Sequence, residues 1–304
     1  MAEYAIKTNQ LTKQFGLATA LDKVDMHLTR GIVYGLVGKD GSGKSTLVRV
    51  ISGLQEPTAG EYELFGTLNT DRVKIGHERR RVGVVMGVGA FIPTASIRKN
   101  LERQCKLLGV PGRNRTTEVL RMTGLEHWAD QKAEQLAGEK QVAAAIAMAM
   151  CGSPDLLILD DVWSGLSLQQ MSETGELLRR LKMDYELTIL ITAQDPESLN
   201  GFADQYGVLD HGVLRRELSA EEIMTMRETA LRVRVSDTNV LARVLVEKSL
   251  QHRILSADVA EIYGKPNITE LVTSLAAAGC EVLTIEEKSM QTESLLQAIS
   301  GGEQ

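Results

Sequence analysis

A glycine-rich run with a lysine followed by two hydroxyl residues carries the clearest chemistry in this sequence. It fits the phosphate-binding pattern G-x-x-x-x-G-K-[ST] at every fixed position. Glycines let backbone N–H groups and the start of a following helix face phosphate oxygens, the lysine can reach the outer phosphates, and the first hydroxyl can ligate Mg²⁺. The alternative is a glycine-rich turn with a surface lysine, but such a turn would not need to match every fixed position of this pattern. The run therefore predicts a nucleoside triphosphate site formed by Gly38, Lys39, Asp40, Gly41, Ser42, Gly43, Lys44, Ser45 and Thr46.

The flanking segments have the pattern that such a loop needs. Residues 32–37 predict a short buried strand before it, and residues 46–52 predict a helix that opens at the loop. A second apolar strand, predicted over residues 156–159, ends in Asp160. A carboxylate in that place, downstream of a phosphate loop, is typical of the element that positions Mg²⁺, so we expect Asp160 and Ser45 to hold the ion. The alternative for Asp160 is a helix cap.

Composition excludes some classes of function. The chain has 304 residues with 43% hydrophobic content, which is enough for one large or two modest domains. A formal net charge of −6 argues against a nucleic-acid partner. The three cysteines match no metal-ligand spacing and are expected to be reduced, and the sequence contains neither a signal peptide nor a long apolar stretch. We therefore expect any membrane role to depend on a partner.

The order of predicted elements indicates an α/β chain with two domains. Strands and helices alternate over residues 1–226, which predicts a largely parallel sheet with helices on it. Residues 91–135 look helical throughout and predict an inserted helical subdomain, with bounds of about 91–150. Residues 227–304 have the order βαββαβ, typical of a small α+β ferredoxin-like domain, followed by a final helix predicted over residues 292–299.

The order of phosphate loop, helical insert and Asp160 resembles the nucleotide-binding subunit of ATP-binding cassette (ABC) transporters, over residues 4–220. The resemblance is greatest to bacterial subunits that export peptide antibiotics or protect against them. It implies the ABC type of P-loop fold, ATP and Mg²⁺ as ligands, a separate transmembrane permease subunit, a second ATP-binding subunit, and a place at the cytoplasmic face of the cell membrane. It also implies that Phe15 stacks on adenine, for which the alternative is a core aromatic.

The signature loop of the family, L-S-G-G-Q, is altered in this chain. Counted back from Asp160, it falls on Leu136, Ala137, Gly138, Glu139 and Lys140. In the family this loop closes over the ATP of the other subunit. Here Ala137 has no hydroxyl, and Glu139 would bring a carboxylate toward that phosphate, which should weaken the closed dimer. The alternative is that these changes are ordinary sequence variation among relatives, since Lys140 and Gln141 resemble a variant end of the signature that is common in the antibiotic-export branch.

Four further positions depart from the family pattern. Asp161 stands where a glutamate polarises the attacking water, and Gln194 stands where a histidine touches the γ-phosphate. Ser167 replaces an aspartate, and Gly87 replaces the glutamine or glutamate that contacts Mg²⁺. With the phosphate loop and Asp160 intact, the pattern is that of a subunit that retains ATP and hydrolyses it poorly. Because both the catalytic positions and the signature are altered, a heterodimer is favoured over a homodimer.

Two functions remain open at this stage. One is a slow ATPase that powers export through a separate transmembrane subunit. The other is a hydrolysis-deficient, ATP-gated structural or regulatory subunit of such a complex. A P-loop kinase unrelated to transport is disfavoured by the order of the motifs.

Overall fold

The computed structural model describes residues 3–87, 91–227, 230–250, 252–263 and 266–288. The chain divides into two compact units, residues 1–217 and residues 218–304. Each unit has its own hydrophobic core. Cys105, Cys151 and Cys280 are all free and buried. Within the described residues, no helix is both long and apolar enough to cross a membrane.

Two sheets form the framework of the first unit. The strands that build them, in chain order, are β1 (Tyr4–Phe15), β2 (Ala18–Val24), β3 (His27–Thr29), β4 (Val33–Val37), β5 (Ala59–Leu64), β6 (Thr67–Leu68), β7 (Val82–Met86), β8 (Leu156–Asp160), β9 (Thr188–Ala193), β10 (Gln205–Asp210) and β11 (Val213–Ser219). The smaller sheet has the order β2-β1-β5-β6, with β3 also paired to β1, and its pairs are antiparallel. The larger sheet has the order β11-β10-β4-β9-β8-β7, and the pairs from β10 to β7 are parallel.

Parallel central strands explain the apolar runs in the sequence. Every residue of β4, β8 and β9 is buried, as expected for strands that are covered on both faces. The helices of the first unit are α1 (Lys44–Ile51), α2 (Arg72–Glu78), α3 (Ile97–Leu107), α4 (Gly112–Thr123), α5 (Gly138–Met150) and α6 (Leu168–Tyr185). Helix α7 (Ala220–Arg227) belongs to the second unit. Helix α1 starts at the end of the glycine-rich run, so the predicted strand, loop and helix are present.

The segment between β7 and β8 is less regular than the sequence suggested. The prediction that residues 91–135 are helical throughout is wrong, because the segment holds α3, α4 and two short 3₁₀ turns, Glu126–Trp128 and Ala133–Gln135. Gly109 (φ +70°) and Gly124 (φ +67°) adopt left-handed backbone that ends the helices before them. Pro111 occupies the N-cap position of α4 and makes no side-chain capping hydrogen bond. These breaks let α3, α4 and α5 pack on one another as a helical insert.

The partly buried Glu217, near the end of β11, is hydrogen-bonded to β3 and β4 in the first unit. The carboxylate of Glu217 accepts hydrogen bonds from the Tyr34 hydroxyl at 2.8 Å and from the His27 backbone N–H at 2.9 Å. Burial and then the Glu217 charge raise the pKa of Tyr34 well above its ordinary value. Gly207 lies against the Tyr34 ring so closely that a Cβ there would overlap the hydroxyl oxygen. The large side chain at residue 34 therefore depends on the absence of one at residue 207.

The second unit has the predicted order of elements. Its sheet is built from β12 (Ala230–Val235), β13 (His252–Ile254), β14 (Val259–Ile262) and β15 (Val282–Lys288), with helices α8 (Thr238–Glu247) and α9 (Ile268–Ala277). The sheet order is β13-β14-β12-β15 and its pairs are antiparallel. This is the order of a ferredoxin-like sheet, in which the first strand lies between the third and the fourth. The helix predicted over residues 292–299 lies outside the described residues.

Candidate nucleotide-binding site

A cavity of about 610 Å³ lies at the carboxyl ends of β4, β9 and β8, which are neighbours in the larger sheet. Parallel strands present their carboxyl ends at one edge, where ligands of this class of fold bind. The cavity volume falls within the usual range for small-molecule sites, about 300–1,000 Å³. It is lined by residues 40–46, by residues 160, 161 and 163–166, and by residues 192–195, together with Ala20, Met171 and Ser198.

The glycine-rich run has a backbone that only glycine adopts easily. Gly41 and Gly43 have φ angles of +77° and +108°. A Cβ on Gly43 would come within 2.5 Å of the Ala20 carbonyl oxygen, so this position admits no side chain. The Gly38 N–H donates to the Ala193 carbonyl at 3.2 Å, which ties the start of the loop to the end of β9. The loop is therefore held open toward the cavity.

Lys44 is folded back onto this loop. Its Nζ donates to the Gly38 and Lys39 carbonyl oxygens, at 2.5 and 2.9 Å. Burial lowers the pKa of Lys44, and the negative charges of three nearby aspartates, Asp40, Asp160 and Asp161, oppose that shift. Lys44 lines the cavity, so its ammonium group can reach an anionic ligand bound there.

Two aspartates at the end of β8 face the same cavity. Asp160 is 4% exposed and accepts a hydrogen bond from the Thr192 hydroxyl at 2.9 Å. It ends a strand and no described helix begins there, so the helix-cap alternative is wrong. Asp161 has a left-handed backbone (φ +55°), and burial, followed by the charges of Asp160 and Asp40, raises the pKa of its carboxyl. Gly87 follows β7 next to them and donates its N–H to the Asp160 carbonyl at 3.0 Å.

Gln194 also lines the cavity, and its partner was not anticipated. Its side-chain Nε2 donates to both carboxylate oxygens of Asp40, at 3.0 and 3.1 Å. The predicted contact partner of Gln194 was a phosphate, whereas here the amide spans from the end of β9 to the phosphate loop. The two residues are 154 positions apart in the chain. Sequence reasoning had no local signal for this pair.

The altered signature lies outside this cavity. Ala137 is the N-cap of α5 and has no side-chain oxygen to cap it, while Leu136 is buried just before it. The Glu139 carboxylate accepts a hydrogen bond from Gln170 Nε2 at 2.7 Å. Lys140 Nζ lies 4.9 Å from the centre of the Trp128 ring. Gly138 packs so near Leu166 that a Cβ would approach it to 3.0 Å.

Ser167 has a structural part in the same region. Its hydroxyl caps α6 by accepting from the Gln170 N–H, and the Gln170 side chain accepts from the Ser167 N–H, which forms a capping box. Because Gln170 also donates to Glu139, the capping box is joined to the first turn of α5. Sequence reasoning noted the missing aspartate at residue 167 but not this connection.

Phe15 lies at the end of β1, in the hairpin formed with β2. It is 49% exposed, so the alternative of a core aromatic is wrong. It does not line the cavity, although Ala20 of the same hairpin does. Lys13 Nζ lies 5.1 Å from the centre of the Phe15 ring. Stacking of Phe15 on adenine stays a prediction.

Several residues that line the cavity were not singled out from the sequence, and two of them, Thr192 and Trp163, are buried. Thr192 is a buried hydroxyl residue in the apolar strand β9, and that change of polarity was a usable signal. Trp163 is 6% exposed and packs edge-to-face on Phe202. An aromatic residue next to a predicted carboxylate pair carries little information without the fold.

The residues present fit a nucleotide with Mg²⁺. Backbone N–H groups of the loop and Lys44 suit phosphates, and Ser45 and Asp160 offer hard oxygen ligands. Within the described part of the chain, no group of three or more histidine, cysteine or acidic residues could hold a metal by itself. This is compatible with Mg²⁺, which usually keeps several waters and takes substrate phosphates as ligands.

Comparison with known proteins gives the family. A family model described as ABC transporter matches residues 21–164. The chain is 30% identical over 243 residues to the bacitracin transport ATP-binding protein BcrA of Bacillus licheniformis, covering 80% of this chain and 78% of that protein. It is 28% identical over 304 residues to the BcrA of Enterococcus faecalis, covering 99% of this chain and 97% of that protein.

A solved structure agrees with these relatives. A dimeric ATP-binding cassette in a post-hydrolysis state, bound to ADP and Pi, matches with a TM-score of 0.62 and 27% sequence identity, over 71% of this chain and 98% of that one. The fold prediction, an ABC-type P-loop domain of class α/β, is therefore confirmed. With its phosphate loop, its carboxylate at the end of β8 and relatives of this identity and coverage, the chain belongs to the ATP-binding subunits of ABC transporters.

Proposed function

We propose that this subunit binds ATP with Mg²⁺ and hydrolyses it slowly, and that it thereby drives export through a separate transmembrane permease. The observation that carries the proposal is the composition of the cavity. It includes residues 40–46 of the phosphate loop and Asp160, while Asp161 and Gln194 differ from the residues expected for rapid hydrolysis. Nucleotide binding and catalysis depend on different parts of this cavity, so one can persist while the other weakens.

The binding residues of the proposal are those of the phosphate loop. Gly38 to Thr46 would hold the phosphates, Lys44 would neutralise the outer ones, and Ser45 and Asp160 would hold Mg²⁺. The ion supplies charge neutralisation to the phosphates when bound. Asp160 suits that role because it is buried and its Oδ1 already accepts a hydrogen bond that fixes its carboxylate.

Slow hydrolysis is supported by two side chains of the cavity. Asp161 is one methylene shorter than glutamate, and a displacement of about 1 Å in a catalytic group can cost roughly a hundredfold in rate. Gln194 is engaged by Asp40 and has no charge to offer a phosphate.

The second ATP-binding subunit is the other part of the proposal. ATP-binding subunits of this family dimerise and pair with transmembrane permeases on the cytoplasmic side of the membrane. We propose a heterodimer for this chain, because Ala137 and Glu139 weaken the surface that would meet the partner's ATP. With a partner that has an ordinary signature and ordinary catalytic residues, each of the two shared sites would carry only one of the two sets of altered residues.

A surface for the permease is proposed at the start of the helical insert. Phe91, Ile92 and Pro93 precede α3, and Ile92 is 39% exposed. The buried Asn100 fixes this loop, since its Oδ1 accepts from the Ile92 N–H at 2.7 Å and its Nδ2 donates to the Ile92 carbonyl at 3.1 Å. An exposed apolar loop held in one conformation suits a docking site. Val88, which we also expected to contribute, lies outside the described residues.

The cargo class follows from the relatives and belongs to the proposal alone. Two relatives carry the name bacitracin transport ATP-binding protein. We propose a peptide antibiotic as the cargo, and we place this subunit at the cytoplasmic face of the cell membrane. The second unit, residues 218–304, is proposed as an accessory domain for dimerisation or regulation.

Titration of the full chain with Mg²⁺-ATP tests the binding part of the proposal. Lys44→Ala should abolish the heat of binding measured by isothermal titration calorimetry, because it removes the lysine that would neutralise the outer phosphates. Lys132→Ala is a matched control, since Lys132 is an exposed lysine that does not line the cavity. Equal affinity in wild type and Lys44→Ala would refute the assignment.

The alternative function is a hydrolysis-deficient regulatory subunit. It is favoured by the alteration of both the catalytic positions and the signature in one chain. Phosphate release by the complex with its permease separates the two functions, since a rate at background level with ATP binding intact supports the regulatory one.

Phe91→Asp should detach the permease in co-purification, and retention of the complex by a folded variant would place the docking site elsewhere.

A further inference from the structure

A single hydroxyl group, that of Thr192, is hydrogen-bonded to both Asp160 and Asp161. Thr192 is the penultimate residue of β9, whose other residues near the cavity are apolar, and it is 2% exposed. Its Oγ1 donates to Asp160 Oδ1 at 2.9 Å and accepts from the Asp161 backbone N–H at 3.0 Å. A hydroxyl can donate one hydrogen bond and accept two, so one side chain serves both neighbours.

The second of these hydrogen bonds acts on an unusual backbone. Asp161 has φ +55°, a left-handed conformation that residues with side chains adopt rarely and that persists only where the surroundings hold it. The direction of the Asp161 carboxylate depends on this φ angle, because the side chain leaves the backbone at the same Cα. The Asp161 N–H bonded to Thr192 is one of the contacts that fix the conformation.

The strand that carries Thr192 also holds the phosphate loop. Strands β9 and β4 are paired in parallel. In this pair Thr192 lies opposite Leu36, and the next residue, Ala193, lies opposite Val37. The Ala193 carbonyl accepts the Gly38 N–H at 3.2 Å. The end of β9 therefore sets the positions of the phosphate loop and of both aspartates relative to one another.

We propose that Thr192 is a positioning residue for ATP hydrolysis, which fixes the Asp160 carboxylate toward Mg²⁺ and the Asp161 carboxylate toward the attacking water. The inference rests on the proposed function, since it assigns a role within that same site. Thr192 acts through the two aspartates and does not itself take part in the reaction. The hydroxyl is the essential group, so serine at this position serves and valine does not.

The test compares two variants at residue 192 with one at the other end of β9. Thr192→Val keeps the shape of the side chain and removes the hydroxyl, whereas Thr192→Ser keeps the hydroxyl. Thr188→Val is the matched control, because Thr188 is also 2% exposed and its Oγ1 accepts a backbone N–H, that of Gly31 at 2.9 Å, away from the cavity. A purely structural role of buried threonines on this strand would affect Thr188→Val and Thr192→Val alike.

Phosphate release is measured on the full chain assembled with its permease, at saturating Mg²⁺-ATP. We expect Thr192→Val to lower kcat by roughly tenfold or more, with KM changed by less than about threefold, because misplacement of catalytic groups reduces the rate more than binding. Thr192→Ser and Thr188→Val should stay within about threefold of wild type in both quantities. Wild-type kcat in Thr192→Val, or an equal loss in Thr188→Val, overturns the proposal.

A second readout does not require turnover. The Mg²⁺ concentration that half-saturates ATP binding is measured by calorimetry on the full chain, and Thr192→Val should raise it at least about fivefold, since the Asp160 carboxylate loses the hydrogen bond that orients it. An unchanged Mg²⁺ dependence contradicts the role of Thr192, whereas absence of ATP binding by wild type contradicts the proposed function. If Thr192→Val does not fold, Thr192→Ala is judged by the same two measurements.

Discussion

Replacement of Asp40 by asparagine should strengthen ATP binding. Asp40 belongs to the phosphate loop, and four aspartates line the same cavity, namely Asp40, Asp160, Asp161 and Asp195. Its charge is felt within the site, because it raises the pKa of Asp161 and opposes the lowering of the pKa of Lys44. The Asp40 carboxylate also accepts hydrogen bonds from Gln194 Nε2, at 3.0 and 3.1 Å. Asparagine has nearly the same shape and removes only the charge.

The size of the effect follows from Coulomb's law. For an effective dielectric constant of about 40 and a separation of about 7 Å, each phosphate charge repels the Asp40 carboxylate by about 1 kcal/mol. Relief of one such interaction lowers the dissociation constant about fivefold. The difference should shrink as salt screens the charges, with a Debye length of about 8 Å at 0.15 M and about 3 Å at 1 M.

Isothermal titration of Mg²⁺-ATP at low and high salt measures this prediction. Asp184→Asn is the control, since Asp184 is exposed, lies on α6 outside the cavity, and gives the same change in net charge. We expect Asp40→Asn to bind more tightly than wild type at low salt, and Asp184→Asn to bind like wild type. Equal dissociation constants in all three proteins, or equal gains in both variants, would refute the reasoning about local repulsion.

Three further predictions concern catalysis, pH and stability. Asp161→Glu with Gln194→His should raise phosphate release by the complex, and the gain should become larger and non-additive when Ala137→Ser and Glu139→Gly are added; a rate unaffected by all four changes would mean that these positions tolerate replacement. Asp161→Asn should raise the free energy of unfolding at neutral pH, because a raised folded-state pKa means that ionisation of Asp161 opposes folding. The gain should vanish by about pH 3, where both states carry the proton, and a gain that persists there in thermal unfolding would contradict it. Gly60→Ala should lower the free energy of unfolding by about 2 kcal/mol or more. Gly60 has φ +74° and a Cβ there would overlap the Gln10 carbonyl oxygen. Gly16→Ala, at φ +59° with open space around it, should cost about 1 kcal/mol, and equal losses in urea unfolding would rule out the steric part of the argument.

The central sheet and the phosphate loop were predictable because their signals are local. Strand β4, the glycine run and α1 follow one another in the sequence, and the strand before Asp160 is a short, fully apolar run. The βαββαβ order of the second unit could be predicted for the same reason. In each case the hydrophobic period and the glycine positions act on neighbouring residues.

The contacts between distant segments were not predictable in this way. The pair formed by Gln194 and Asp40, the bond from Gln170 to Glu139 and the role of Thr192 join residues brought together by the sheet order. Helical periodicity also overstated the insert, since Gly109 and Gly124 divide it where the pattern alone suggested continuity. A helix ends where the backbone adopts a left-handed φ angle, and the spacing of apolar residues gives no information about φ angles.

The carboxylate of Glu217 limits where this chain could be shortened or joined to another. A polypeptide that stopped before residue 217 would bury the Tyr34 hydroxyl without its acceptor, at a cost of about 1–3 kcal/mol. Exchange of Tyr34 for a smaller residue would remove that cost, but would leave space above Gly207 that only a larger residue there could fill. Residues 34, 207 and 217 should therefore be inherited or replaced as a set, and gene fusions that trade the second unit for another should have their junction after residue 217.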